Sequence, residues 1–426
     1  MDKKIFVEPV ARVEGHGGIE VIIENNEVKE VKVEIFEGPR LMEQLTIGKL
    51  PEEAVSITSR ICAICFYSHR FSDIRTHEIA LGIKPGKKVQ LLRKLGHYGE
   101  MIESHSLHYY LLALPDYLGY PDAIAMMEKY PEEVAGALEL KKYGNRVMEI
   151  IAGRRVHGEN LRIGGFGRIP SDEELDWIKT RALELIPTIE RGINLWKELE
   201  IPDYLEEEAT FISVLPEDGS YGFFADTIVV STGEKYKADD YKKVTNERVV
   251  PHSYAKRCRY KGKPYTVGAL ARMLNMADRL DGMAGEYFKK LYNERWRKNP
   301  HYNNIAQAIE ILFCLEKIPA LVDEIKNTPI EETKPGKKSG KGTGLVEAPR
   351  GLLIHHYEIE NNRVKYADYV IPTTQNLDDM EKYIRNAAEN LLKKGVQEME
   401  LPLEMIMRAY DPCISCSVHL VKVVRK

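Results

Sequence analysis

Cysteine is scarce in this chain, with six among 426 residues. So few in so long a chain, behind no signal peptide, exclude a disulfide-built secreted scaffold. No apolar run approaches the roughly 20 residues that would span a bilayer. The first residues include Asp2 and Glu8 and lack a signal-peptide core, so a cytoplasmic protein is the default expectation. A subunit exported with a signal-bearing partner would be the exception. The formal charge of −4 leaves no basic excess, and a nucleic-acid partner is not expected. Glutamine is scarce while Lys and Glu are plentiful, which leans toward a thermophilic source. No repeat of 20–50 residues is found. The length allows a large core, and the ordinary share of apolar residues supplies one.

The periodicities predict an α+β protein that is mainly helical. A long helix bundle would carry β hairpins near the N- and C-terminal ends. Residues 18–24 and 28–36 are rich in β-branched types and flank Asn25-Asn26, a tight-turn pair. Residues 352–359 and 364–371 flank Asn361-Asn362 in the same way. The two hairpins suggest one shared β region. Pro51 opens a helix expected to reach about Cys62. Residues 88–114, 132–152, 171–198, 267–298 and 301–325 show apolar recurrence every three to four positions. Ser171 is a predicted N-cap, with acids in the following turn. Residues 333–344, rich in Gly and Lys, read as a loop. The whole chain, 1–426, is taken as a single domain. It divides into an N-terminal β region with the first cysteine pair (1–65), a helical body (66–330), a loop, hairpin and second pair (331–419), and a tail (420–426).

Four of the six cysteines form two Cys-x-x-Cys pairs at opposite ends of the chain. Cys62-Ala63-Ile64-Cys65 follows Arg60-Ile61, and Cys413-Ile414-Ser415-Cys416 follows Asp411-Pro412. Two bidentate thiolate pairs suit a soft, four-coordinate transition metal. A local zinc knuckle places its pairs about 12–20 residues apart, so only a completed fold could unite these. A closed structural zinc site is the competing reading. Against it, Arg60, His69, Asp411 and His419 surround the cysteines in sequence with proton-active or cationic groups. Cys258 and Cys314 stand alone and are expected to be buried small hydrophobes.

Arg60-x-Cys62-x-x-Cys65-x-x-x-His69 and Asp411-Pro412-Cys413-x-x-Cys416-x-x-His419 resemble the two cysteine motifs of nickel–iron hydrogenase large subunits. Ala63 stands where that family often has Gly. Ala11-Arg12-Val13-Glu14-Gly15-His16, Glu347-Ala348-Pro349-Arg350-Gly351 and Ile371-Pro372-Thr373-Thr374-x-Asn376-Leu377 resemble three further elements of the family. All five occur in the family's order and span residues 11–419. The resemblance is strongest to the cytosolic archaeal sulfhydrogenase or NADP-linked type. In Glu103-Ser104-His105-Ser106-Leu107-His108, Ser104 replaces the Asp of many respiratory members, which leaves Asp411 as the carboxylate for Arg350.

The resemblance implies a catalytic subunit for reversible oxidation of hydrogen to protons and electrons. Cys62, Cys65, Cys413 and Cys416 would bind nickel. Cys65 and Cys416 would bridge to an iron carrying cyanide and carbon monoxide. Cys413 and Glu14 would take the proton, with Arg350 and Asp411 beside the metals. Thr373 would donate a hydrogen bond to one cyanide, with the backbone beside Pro372 serving the other. Glu43, His419 and the Tyr369 carbonyl would hold magnesium or a second iron. The six cysteines leave no set for an iron–sulfur relay, so a small subunit with such clusters would be required. Flavin, NADP or further iron–sulfur subunits would complete a heterotetramer, with polysulfide a second possible acceptor. A maturation endopeptidase would remove residues 420–426. The rival readings are a non-catalytic quinone-pocket subunit of a respiratory complex and a structural zinc protein.

Two look-alikes are set aside. Residues 336–342 resemble a phosphate loop but lack the required spacing and the Ser or Thr after Lys341. His355 and His356 are adjacent on a predicted strand and should face opposite sides.

Overall fold

The computed structural model describes residues 3–204 and 207–418. Its framework is a set of long helices, Lys87–Ser106, Pro131–Ala152, Asp172–Trp196 and Tyr302–Asn327. The last is buried along most of its length because its sequence is apolar on nearly every face. Ser171 caps its helix as expected: its hydroxyl accepts from Glu174 N–H, and the Glu174 carboxylate accepts in return from Ser171 N–H. Lys87–Ser106 and Pro131–Ala152 approach closely at Gly99 and Gly144, where a Cβ on Gly144 would meet the Gly99 carbonyl at 2.5 Å. The first of these helices continues as a π-helix over Leu107–Ala113, so the predicted 88–114 segment is helical with a wider last turn.

The two hairpins form as predicted but do not share a sheet. Lys3–Val7, Gly17–Glu24 and Glu27–Ile35 make one antiparallel sheet, packed on the helix Pro372–Lys393. Gly351–Glu360 and Arg363–Val370 join Gly340–Ala348 and Phe224–Ala225 in another.

Three sequence expectations need correction. The loop predicted at 333–344 ends early, because the strand Gly340–Ala348 begins within it. Its glycines alternate for a packing reason: a Cβ on Gly340, Gly342 or Gly344 would lie 1.9–2.5 Å from helix Phe66–Leu81. The helix predicted at 267–298 is broken into Ala269–Asn275, Ala277–Arg279, Gly282–Leu291 and Glu294–Arg297. Extended backbone at Leu280 and Asp281 and a left-handed Gly282 interrupt it. The helix from Pro51 stops at Thr58, and residues 59–65 form the turns that present the first cysteine pair.

Candidate metal centre

Each Cys-x-x-Cys pair sits where a loop enters a helix. Cys65 precedes Phe66–Leu81, and Cys413 precedes Ile414–Ser417. The fold brings all four sulfurs together, buried and within 4.8 Å of one another. Cys62 Sγ lies 3.5 Å from Cys413 Sγ, and Cys65 Sγ lies 3.4 Å from Cys416 Sγ. Backbone N–H groups of Ile64 and Cys65 point at Cys62 Sγ from 3.3 Å, which favours a thiolate there. Hydrogen bonds from Cys413, Cys416 and Cys65 pull the Cys62 thiol well below its ordinary value. The others resist ionisation. Burial raises Cys413 and Cys416, while Cys62 and burial outweigh two favourable contacts to push Cys65 up to about 11. Four thiolates in this dry space need a metal cation between them, and a coordinated thiol is deprotonated outright.

The N-terminal motif is stitched to the second cysteine pair. Ile414 N–H donates to the Glu14 carbonyl at 3.0 Å. Glu14 Oε2 lies 3.2 Å from Cys413 Sγ and accepts from Ser415 N–H at 3.1 Å. The Ser415 hydroxyl holds Oε1. Gly15 is needed in this turn: its φ is +86°, and a Cβ would sit 2.7 Å from Ile414 Cβ.

Arg350 is buried beside the same sulfurs. Its Nε donates to Asp411 Oδ1 at 3.0 Å, as the Ser104 substitution predicted. Burial disfavours its charge, but Asp411, Cys413, Cys65 and Cys62 outweigh that and hold it firmly protonated. Burial likewise raises Asp411, yet Arg350 and the two histidines His108 and His105 keep it below its ordinary value. Gln307 Nε2 donates to the other Asp411 oxygen at 3.0 Å. Arg350 Nη1 and Ser104 Oγ are buried with no hydrogen-bond partner among the described residues. A buried guanidinium nitrogen left free beside four sulfurs fits a site that takes anionic or polar ligands on a metal. Thr373 Oγ1 accepts from Cys413 N–H at 2.9 Å, which leaves its own proton to donate. Pro372 is the first residue of that helix, so the backbone N–H groups that follow begin with no intrahelical partner.

Glu43 is buried in the helix Met42–Thr46. Thr46 connects it to Tyr369: the Thr46 hydroxyl lies 2.8 Å from the Glu43 carbonyl and 3.1 Å from the Tyr369 hydroxyl. The negative charge of Glu43 also reaches half-buried Lys256, whose ammonium pairs with Glu247 at 2.8 Å. The predicted third member, His419, lies outside the described residues, as do residues 420–426.

Arg60 does not crowd the cysteines. Its side chain is 48% exposed and turns to Glu159 and the Ser56 carbonyl. His69 is buried one helical turn beyond Cys65. His355 and His356 face opposite sides as expected, His355 buried near Asp73 and His356 beside Thr343. Cys258 and Cys314 are buried. Sequence reasoning missed Gln307, Arg272 and Glu100. None carries a motif: Gln307 touches Asp411, while Arg272 and Glu100 hold the chain beside Arg350 and Cys65.

A nickel-dependent hydrogenase pattern matches residues 40–136 and 212–419. The chain belongs to the nickel-dependent hydrogenase family. A HoxL-like pattern covers residues 4–37. The sulfhydrogenase 1 alpha subunit of Pyrococcus furiosus is 42% identical over 98% of this chain and 98% of its own length. The sulfhydrogenase 2 alpha subunit of the same organism is also 42% identical, over 98% and 99%. Among solved structures, an NAD+-reducing [NiFe]-hydrogenase in the H2-reduced state superposes with a TM-score of 0.90. It is 27% identical and covers 98% of this chain and 99% of that one. The hydrogenase large subunit therefore has the predicted mainly helical α+β fold, and it is the catalytic, nickel-dependent oxidoreductase of its complex.

Proposed function

We propose that Cys62, Cys65, Cys413 and Cys416 hold nickel, and that Cys65 and Cys416 also bridge to an iron bearing cyanide and carbon monoxide. The observation that carries this reading is the buried four-sulfur cluster with a carboxylate at one edge and a guanidinium beside it. When bound, the metals supply the binding and heterolytic cleavage of hydrogen and accept its electrons. The chain's own work is proton movement and ligand positioning. Cys413 Sγ takes the proton, and Glu14 Oε2, 3.2 Å away, receives it as the first relay group. Ser415 fixes that carboxylate from both oxygens. Arg350, anchored by Asp411, offers its free Nη1 to the metal ligands, and Thr373 offers its hydroxyl proton to a cyanide.

Glu43, the Tyr369 carbonyl and His419 hold a hard cation, magnesium or a second iron. An endopeptidase removes residues 420–426 once nickel is in place, so the intact mass of active enzyme ends at His419. A mass that retains Lys426 in active enzyme contradicts this. Electrons leave through a small subunit with iron–sulfur clusters, because outside the four-sulfur site this chain has only Cys258 and Cys314, too few to build them. We place the subunit in a cytoplasmic heterotetramer that reduces NADP or a similar soluble acceptor, polysulfide being the alternative; the similarity to NAD-reducing hydrogenases supports the soluble acceptor. No helix among the described residues is long and apolar enough to cross a membrane.

Cys65→Ser tests the ligand assignment. An alkoxide is a poor bridging ligand for soft metals. The assembled variant should lose hydrogen-dependent viologen reduction, and retained full activity would refute the assignment.

A further inference from the structure

Arg272 lies in the short helix Ala269–Asn275 and is fully buried. A guanidinium has five N–H donors in a rigid plane. Here all five are used. Nε donates to Glu310 Oε1 at 2.7 Å, and Nη2 donates to Glu310 Oε2 at 2.6 Å, a bidentate pair. Nη1 donates to Glu347 Oε2 at 2.9 Å and to the Ala348 carbonyl at 3.1 Å. The second Nη2 proton goes to the Pro349 carbonyl at 3.2 Å. The acceptors at Glu347, Ala348 and Pro349 belong to consecutive residues where the strand Gly340–Ala348 ends, and the next residue is Arg350.

The far side of Arg350 is gripped by the same segment. Gly351 has φ +130°, and a Cβ there would lie 2.5 Å from Val267 and 2.8 Å from Gly268 N. The Arg350 guanidinium itself is tied only through Nε to Asp411 among the described residues. Its reach over the sulfurs therefore depends on where its backbone stands. That backbone is the turn between the paired strands Gly340–Ala348 and Gly351–Glu360, and Arg272, braced on Glu310 in the central helix Tyr302–Asn327, holds the entry to it.

We propose that Arg272 is the positioning residue of Arg350: braced by two donors on Glu310, it clamps residues 347–349 with the other three and so sets the height of the Arg350 guanidinium over the metal centre. The proposal rests on the reading of Arg350 given above. Lys cannot replace Arg272, since three donors on a flexible stem cannot satisfy five fixed acceptors.

A double-mutant cycle in the assembled holoenzyme tests it. Arg272→Lys should keep nickel and iron and lose about 100-fold in hydrogen-dependent viologen reduction, the scale of a 1 Å misplacement. The infrared bands of the iron's cyanide and carbon monoxide should shift in the same sense as in Arg350→Lys. The double variant should be no worse than Arg350→Lys alone, to within about twofold. Should Arg272→Lys fail to load metal, Glu347→Gln replaces it in the cycle. That change disturbs one clamp contact and leaves the Glu310 pair intact, and the same absence of additivity is expected. Losses that multiply in the double variant, or full activity in Arg272→Lys, overturn the clamp. A fully active Arg350→Lys instead sinks the underlying reading of Arg350.

Discussion

The Glu14 carboxylate touches the Cys413 sulfur, Oε2 to Sγ, at 3.2 Å. The two residues are 399 apart in sequence, and a main-chain hydrogen bond from Ile414 N–H to the Glu14 carbonyl locks them together. Proton exit should therefore run through this contact. Glu14→Gln keeps an oxygen acceptor for Ser415 but cannot take up a proton. Hydrogen–deuterium exchange catalysed by the assembled enzyme should fall by about 100-fold or more, the usual worth of a positioned acid–base group. Nickel and iron should stay bound. Exchange at the parental rate would place the relay elsewhere.

Thr373 has a dual hydrogen-bonding role. Its oxygen accepts from Cys413 N–H at 2.9 Å, and its proton is available to a metal ligand. Thr373→Val removes both and strands a buried N–H, at a cost of about 1–3 kcal/mol. Thr373→Ser preserves both. The valine variant should melt at lower temperature and show a shifted cyanide band, with the serine variant close to the parent in each. Equal cyanide bands in all three would remove Thr373 from the ligand sphere.

The parts of this centre legible in the sequence were those whose residue types announce their chemistry. Cys62, Cys65, Cys413 and Cys416 declare a soft-metal site at any separation, and Glu14, Arg350 and Asp411 lie in or beside short motifs. The structure brings Glu14 to Cys413 and Asp411 to Arg350. What stayed hidden depends on packing between distant helices. Arg272 lies in a segment that reads as one long helix, and its breaks come from Leu280–Gly282 backbone that periodicity does not register. The alternating glycines of Gly340–Ala348 look like a loop until helix Phe66–Leu81 is seen against them. Arg60 sits two residues from Cys62, yet its side chain points to Glu159, because sequence proximity does not set side-chain direction.

Glu100 is a second buried acid near the first cysteine pair. It accepts from the N–H groups of Tyr67 and Ser68, just after Cys65, and from the Ser68 hydroxyl. Burial pushes its carboxyl up to about 8 against those favourable contacts. An unfolded Glu titrates near 4.3. The folded chain thus holds a proton that the unfolded chain releases. The associated stability is present in full below the unfolded value and is lost as pH rises toward about 8. The slope of the loss is at most about 1.4 kcal/mol per pH unit. Glu100→Gln should flatten the fall in melting temperature between pH 5 and 8, in proportion to that one proton. An unchanged pH profile in the variant would show that Glu100 is ionised throughout.

Metal analysis of the purified, active complex bears most directly on the central claim, that the four cysteines hold nickel together with iron. Parent and Cys65→Ser complexes should be compared side by side by elemental mass spectrometry. The account predicts nickel, and iron beyond that of the partner's clusters, in the parent, with the nickel lost from the Cys65→Ser complex. Zinc in the four-cysteine site of the active parent, or nickel retained at parental level in Cys65→Ser with full activity, would contradict it.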